Sequence, residues 1–346
     1  MGQRSIPRWF HVLAAAWIVG ALAASRLAPD AYYGAMQEDR AVEWLTVACF
    51  LAAAGLGGWR GMRARRVGDL LVALFCVVAA GEEISWGQRL LGYTPPDLFL
   101  ARNVQQEANL HNLAEAFGQP KWTLIAILAA YGIVAPLATR YVPGVRRLAE
   151  RLGFTSPPVG VMPLFAVTIG ILVLYPVRFT GEWAEALAGA LFVAALAPRP
   201  RVLGVVLAAS ALAAVAMEGM SAWLAAPNPH AVACARAETA AIADAVAADT
   251  RLALRPRTRT HRRLWSLVQD RDIGDGVLAA IGSATCAGER ADDQSRRRAF
   301  GVDPWGTAYW VRVTPRPAGR RIEVYSFGAD RRRDPAAGDD IAAIRD

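Results

Sequence analysis

The sequence predicts a mixed fold: a polytopic α-helical membrane bundle of about seven spans over residues 1–226, then a small α+β domain over residues 227–346. Three observations predict it. The chain is 54% hydrophobic over 346 residues, with a mean hydropathy of +0.25, too apolar for an ordinary soluble protein. Apolar runs of about 20 residues, the length a bilayer core requires, recur through the first two thirds. After Pro227-Asn-Pro229, which interrupts helix, the composition turns polar and short strand-like alternations appear.

The runs are Trp9 to Leu27, Ala41 to Trp59, Val67 to Trp86, Trp122 to Tyr141, Val161 to Phe179, the shorter Glu182 to Ala197, and Val202 to Ala226. Arginines mark alternate connections: Arg4 and Arg8, then Arg60 to Arg66, then Arg140 to Arg151, then Arg199 and Arg201. Basic loops stay in the cytoplasm, so the N-terminus is expected inside and the C-terminal domain outside. The first run also fits a cleaved signal peptide, with Ala21-Leu-Ala23 as a small-residue site; cleavage leaves the direction of the later runs unchanged. The net charge of +8 comes from arginine with one lysine, Lys121. These cations lie in short clusters between apolar runs, so the expected partner is the lipid bilayer and not nucleic acid.

With this topology, acids gather toward the external face. Glu43 opens the second run, Glu82 and Glu83 close the third, Glu182 and Glu185 open the sixth, and Glu218 lies in the outer half of the seventh. Ionisable groups in spans are costly and mark functional candidates, although residues near a span's end are also wetted by headgroups. Adjacent Glu82 and Glu83 cannot both face lipid cheaply. They lead into Ile84-Ser-Trp-Gly-Gln-Arg89, and the next external stretch carries Asn103, Glu107 and His111 every four residues. On a helix these three share one face, where Glu and His hold a metal or form an acid–base pair; a solvated helix face gives the same pattern.

One arrangement joins these parts: Glu107 and His111 meet Glu82, Glu83 and Arg89 at the membrane face, with Glu43, Asn103 and Glu218 near them. That would be the catalytic centre of a membrane-embedded, metal-dependent hydrolase, or a polar lock holding a lid. No phosphate loop, His-Glu-x-x-His signature or Cys-x-x-Cys pair adds to the enzyme reading. Residues 40 to 115, with Glu-Glu-Ile-Ser-Trp-Gly-Gln-Arg and Asn-Leu-His-Asn, resemble a family of uncharacterised bacterial multi-span proteins, which implies no activity.

Cys49 and Cys76 lie in apolar runs and read as small core residues. Cys234 and Cys286 lie in the polar part, where an external location would allow a disulfide between them.

In the last domain, Ala231 to Leu254 predicts an amphipathic helix, Arg255 to Arg263 a basic connector, and Gly288 to Arg298 a polar, mobile stretch. Thr307 to Thr314 and Arg321 to Phe327 predict a hairpin. Asp303-Pro-Trp-Gly, the hairpin and Gly328-Ala-Asp330 together resemble the head of the major pseudopilin of type II secretion, over roughly a third of the chain. The resemblance implies a periplasmic domain of a bacterial inner-membrane protein and secretion-system or other envelope proteins as partners. It also implies a calcium site made by Asp330, Asp339, Asp340 and the main-chain carbonyl of Phe327. Calcium takes six to eight hard oxygen ligands, and carboxylates suit it. Arg331, Arg332 and Arg333 stand where that family is commonly glycine-rich or acidic. A pseudopilin's basic leader before its one apolar helix has no counterpart ahead of Val202, so assembly into a pilus is not expected.

Overall fold

A computed structural model describes residues 5–37, 40–91, 93, 95–103, 106–110, 120–224, 228–253, 260–282, 286, 291–317, 319–331 and 339–346. The chain forms two compact units, one of Met1–Gly87 with Asn109–Ser221, the other of Gln88–Ala108 with Ala222–Asp346. The second unit therefore takes in a stretch that the sequence assigns to the bundle.

The helices of the first unit are α1 (Arg8–Leu27), α2 (Pro29–Ala35), α3 (Ala41–Ala64) and α4 (Val67–Glu83). The short α5 (Asp97–Arg102) belongs to the second unit. Then come α6 (Pro120–Ala129), a π-helical turn (Ala130–Val134), α7 (Ala135–Tyr141), α8 (Pro143–Leu152), α9 (Met162–Leu174), α10 (Thr180–Leu196) and α11 (Pro200–Leu224). Among the described residues, four helices are long and apolar enough to cross a membrane: Arg8–Leu27, Ala41–Ala64, Lys121–Tyr141 and Pro200–Trp223. The other three predicted runs fold as shorter helices, α4 with 17 residues, α9 with 13 and α10 with 17.

Helix α10 is the centre of this unit. Trp183, Leu187, Leu191, Phe192, Val193 and Leu196 are all buried along it, and it packs on α3 and α9. Small residues let the backbones approach: a Cβ on Gly189 would lie 2.9 Å from Cys49 Cβ on α3. In an apolar bundle, such close contact supplies dispersion where the hydrophobic effect between helices is weak. Tyr131, in the π-helical turn, stacks on Phe192 with centroids 4.8 Å apart.

The second unit contains α12 (Pro229–Ala248), β1 (Thr260–Arg263), α13 (Leu264–Gln269), α14 (Ala291–Phe300), β2 (Trp310–Arg316), β3 (Gly319–Ser326) and β4 (Ile341–Arg345). The strands form one antiparallel sheet in the order β1-β2-β3-β4. The register pairs Val311 with Val324 and Val313 with Ile322. That places all four on one face, where they bury against Ile242 and Val246 of α12 and Leu264 and Leu267 of α13. Pro315 is tolerated in β2 because β1 pairs no further along it than Val313, so no ladder bond is lost on that side.

Three sequence expectations change here. Thr260–Arg263 is an edge strand, not only a connector. Residues within Gly288 to Arg298 form helix α14 instead of a mobile stretch. Asp292 and Asp293 in its first turn and Arg297 and Arg298 in its last complement the helix dipole. Gln88–Ala108 joins the second unit because α14 holds it: Arg296 Nε is 3.0 Å from Asp97 Oδ1, and Gln106 Nε2 donates to Phe300 O at 3.2 Å.

Candidate functional site: a carboxylate centre in the helical unit

Helices α3 and α10 begin, and α4 ends, where the acids gather. Glu43 is in the first turn of α3, Glu182 in the first turn of α10, and Glu83 is the last residue of α4. Glu83 is partly buried, and its carboxyl feels the charges of Glu185, Glu182, Glu43 and Glu82. Five carboxyl groups from three helices thus share one field. Glu43 is itself only 4% exposed. The positive helix N-termini of α3 and α10 relieve part of the repulsion. Like charges this close favour the protonated form of some of the carboxyl groups.

Glu82 and Glu83 play different parts. Both oxygens of Glu82 are engaged: Trp86 Nε1 donates to Oε1 at 2.8 Å and the Leu110 amide to Oε2 at 2.6 Å. Asn109 Nδ2 donates to Ser85 Oγ at 3.0 Å. The stretch after α5 is therefore tied to the end of α4 through Asn109 and Leu110. Between these anchors the chain turns through three consecutive left-handed residues, Ser85 (φ +46°), Trp86 (φ +54°) and Gly87 (φ +80°). Left-handed backbone at a serine and a tryptophan is costly and is held only by surrounding structure; such strain concentrates at functional sites.

The remaining predicted residues have other places. His111 lies outside the described residues. Asn103 ends α5 in an extended conformation and Gln106 is left-handed at φ +58°, so Asn103 and Glu107 do not lie on one helix face as expected. The backbone of Arg89 is in a short helical turn, Gln88–Leu91, and its side chain lies outside the description. Glu218 pairs with Arg40 at 3.5 Å, both partly exposed.

Asp69, which no motif singles out, is fully buried and is the hub of a network at the opposite end of α4. Arg66 Nε lies 3.2 Å and Arg60 Nη2 3.6 Å from its Oδ2, and the Thr155 amide donates to its Oδ1 at 2.8 Å. Arg60 also donates to Leu196 O at 3.0 Å, which ties α3 to the end of α10.

In the second unit, Cys234 and Cys286 are joined by a disulfide. Beside it, Arg297 pairs with buried Glu238, which also accepts from Tyr309 Oη at 2.5 Å and from the Gly282 amide at 2.7 Å. Cys234, Glu238 and Cys286 are the only three metal-ligand side chains gathered within 4.8 Å among the described residues, and the bonded sulfurs have no thiolate to offer.

Asp330, Asp339 and Asp340 do not gather in that way. Asp339 Oδ2 accepts the Asp330 amide at 3.1 Å and closes the loop. Gly328, at φ +72°, admits this approach; a Cβ there would meet Asp339 O at 2.4 Å. The Phe327 ring stacks on Trp310. Arg331 Nη1 donates to Gln88 O at 3.2 Å, and its charge acts on Asp303. Asp303 of the Asp-Pro-Trp-Gly element is buried and accepts from the Thr307 and Trp305 amides and from the Thr307 and Ser326 hydroxyls, so the motif is a structural clasp.

Compared with protein-family models, curated proteins and solved structures, the chain matches none. The functional reading rests on its own residues.

Proposed function

We propose that this chain is a multi-pass membrane protein whose working part is the carboxylate centre of Glu43, Glu82, Glu83, Glu182 and Glu185. The centre would supply general acid and base carboxylates to a hydrolytic reaction at the membrane face. The observation that carries this reading is the convergence of four other carboxylates, from three helix ends, on the partly buried Glu83. Three helices contribute, so the cluster is a product of the fold and not of one acidic run. A carboxyl among other carboxylates holds its proton more readily and can act as a general acid or base. Glu82 would hold the Asn109–Leu110 segment over the centre, and His111 follows it directly in the chain. The test is hydrolysis by the purified chain in detergent, with a phospholipid ester and a peptide as the probes. Glu83→Gln and Glu185→Gln should each abolish it, while Glu218→Gln, whose carboxylate pairs with Arg40, should leave it intact. Unchanged activity in both of the first two variants would sink the reading.

The seven-span topology, with the N-terminus in the cytoplasm of a bacterium and the second unit in the periplasm, belongs to the same proposal. It draws support from the four membrane-length helices and the arginine-rich alternate loops. A second reading concerns the α+β unit alone. A long helix across an antiparallel sheet is the arrangement expected of a pseudopilin-like head, which suits an interaction module for secretion or other envelope proteins. Cross-linking in cells tests it; capture of no envelope protein would count against it.

A further inference from the structure

Helix α8 stands apart from the helices around it. Val145, Leu148, Ala149 and Leu152 fall at the i, i+3, i+4, i+7 spacing of one face, while Arg146, Arg147, Glu150 and Arg151 take the other. It buries no residue, and Val145, Leu148 and Leu152 are 38%, 55% and 44% exposed. Its apolar face does not close onto the bundle. It lines a space of about 380 Å³ whose other walls include Leu71 and Phe75 of α4 and Ile127 of α6.

The walls are apolar almost throughout, and such a space is poor for water, which needs several polar partners. An apolar occupant is called for. The outer side of the same helix carries three arginines against one glutamate, a net +2. A basic amphipathic helix lying in the headgroup plane attracts anionic lipid. Arg140, whose guanidinium lies 5.6 Å from the Tyr141 ring, adds a cation and an interfacial aromatic at the neighbouring end of α7. Apolar cavity and basic collar together ask for one molecule that is a hydrocarbon at one end and an anion at the other.

We propose that this cavity is a binding site for an anionic glycerophospholipid, with an acyl chain under α8 and the phosphate on Arg146 and Arg147. The site rests on the chain lying in a membrane and is independent of the carboxylate centre at the other end of α4. Occupied in this way, it would lock α8 against α4 and α6.

The test uses the full chain in neutral detergent, titrated with dioleoyl phosphatidylglycerol, dioleoyl phosphatidylcholine or sodium phosphate while its melting temperature is read. Phosphatidylglycerol should raise it, phosphatidylcholine much less, and phosphate alone not at all. Arg146→Gln with Arg147→Gln, both on exposed positions, should shift the phosphatidylglycerol titration by roughly thirtyfold, from about 1 kcal/mol per arginine. Ala149→Phe should weaken both lipids by filling the cavity. Equal effects of the two lipids, an effect of phosphate alone, or an unshifted titration in the arginine variant overturns the proposal. Because the arginine variant changes only exposed side chains, it decides the matter even where Ala149→Phe does not fold.

Discussion

Arg297 and Glu238 form a two-pronged ion pair inside the second unit, with Nη2 2.8 Å from Oε1 and Nη1 2.9 Å from Oε2. Their side chains are 5% and 0% exposed. Arg297 Nη1 also donates to Val302 O at 3.2 Å, so the pair ties α12, α14 and the loop after it into one core. Removing one member leaves the other charged and buried. Arg297→Ala should therefore lower the stability of this unit by about 3–5 kcal/mol. Arg312→Ala, which breaks the half-exposed pair with Glu323, should cost about 1 kcal/mol or less. Denaturant melts followed by tryptophan fluorescence compare the two; equal losses would show that burial does not set the scale.

Asp69 holds two arginines and one backbone amide at the end of α4. Asp69→Asn keeps the size but removes the charge that both guanidinium groups share. A loss of about 3–5 kcal/mol is expected. Thermal melting in detergent measures it. Wild-type stability in that variant would mean that solvent or lipid phosphate already screens Arg60 and Arg66.

The disulfide closes a separation of 52 residues between α12 and the segment before α14. On a chain-entropy argument a loop of that size contributes about 4 kcal/mol. Cys234→Ser with Cys286→Ser should lower the melting temperature by a corresponding amount. In cells, the pair should resist thiol alkylation until a reductant is added, because disulfides persist outside the reducing cytoplasm. Ready alkylation without reductant would contradict the proposed external placement of this unit.

Tyr309 is buried, and burial followed by the Glu238 charge raises its pKa well above the ordinary 10.0. The folded unit keeps the phenolic proton at pH values where the unfolded chain loses it. Stability from this group is complete below about pH 10 and falls as pH climbs from there toward the raised folded value. Tyr309→Phe should flatten that alkaline decline, at the cost of the hydrogen bond to Glu238. An alkaline limb of unchanged slope in the variant would assign the decline to other groups.

The carboxylate centre was partly legible before any coordinates. Glu43, Glu82, Glu83, Glu182 and Glu185 stand out because acids are rare in apolar runs, and counting runs sets which ends coincide. Asp69 did not stand out, since its partner Thr155 is 86 residues away. Glu238 and Arg297, 59 residues apart, look in sequence like two solvated charges on polar helices. Asn103 and Glu107 misled in the opposite way: their four-residue spacing suggests a helix face, but the left-handed backbone at Gln106 breaks it. Strands β1 and β4 were invisible because short edge strands are specified by the neighbours they pair with, not by their own propensity.

The sequence by itself determined the apolar helices, the basic loops between them and the passage to an α+β unit after Pro227. Hydropathy and periodicity are local sums, so a window of about 20 residues contains all of that information. Tertiary structure alone decided that five glutamates share one field, that Asp69 and Glu238 are buried hubs, and that Gln88–Ala108 joins the α+β unit. Those facts depend on distances through space between residues far apart in the chain. Electrostatic energy follows those distances and the burial around them, and neither is written in any one stretch of sequence.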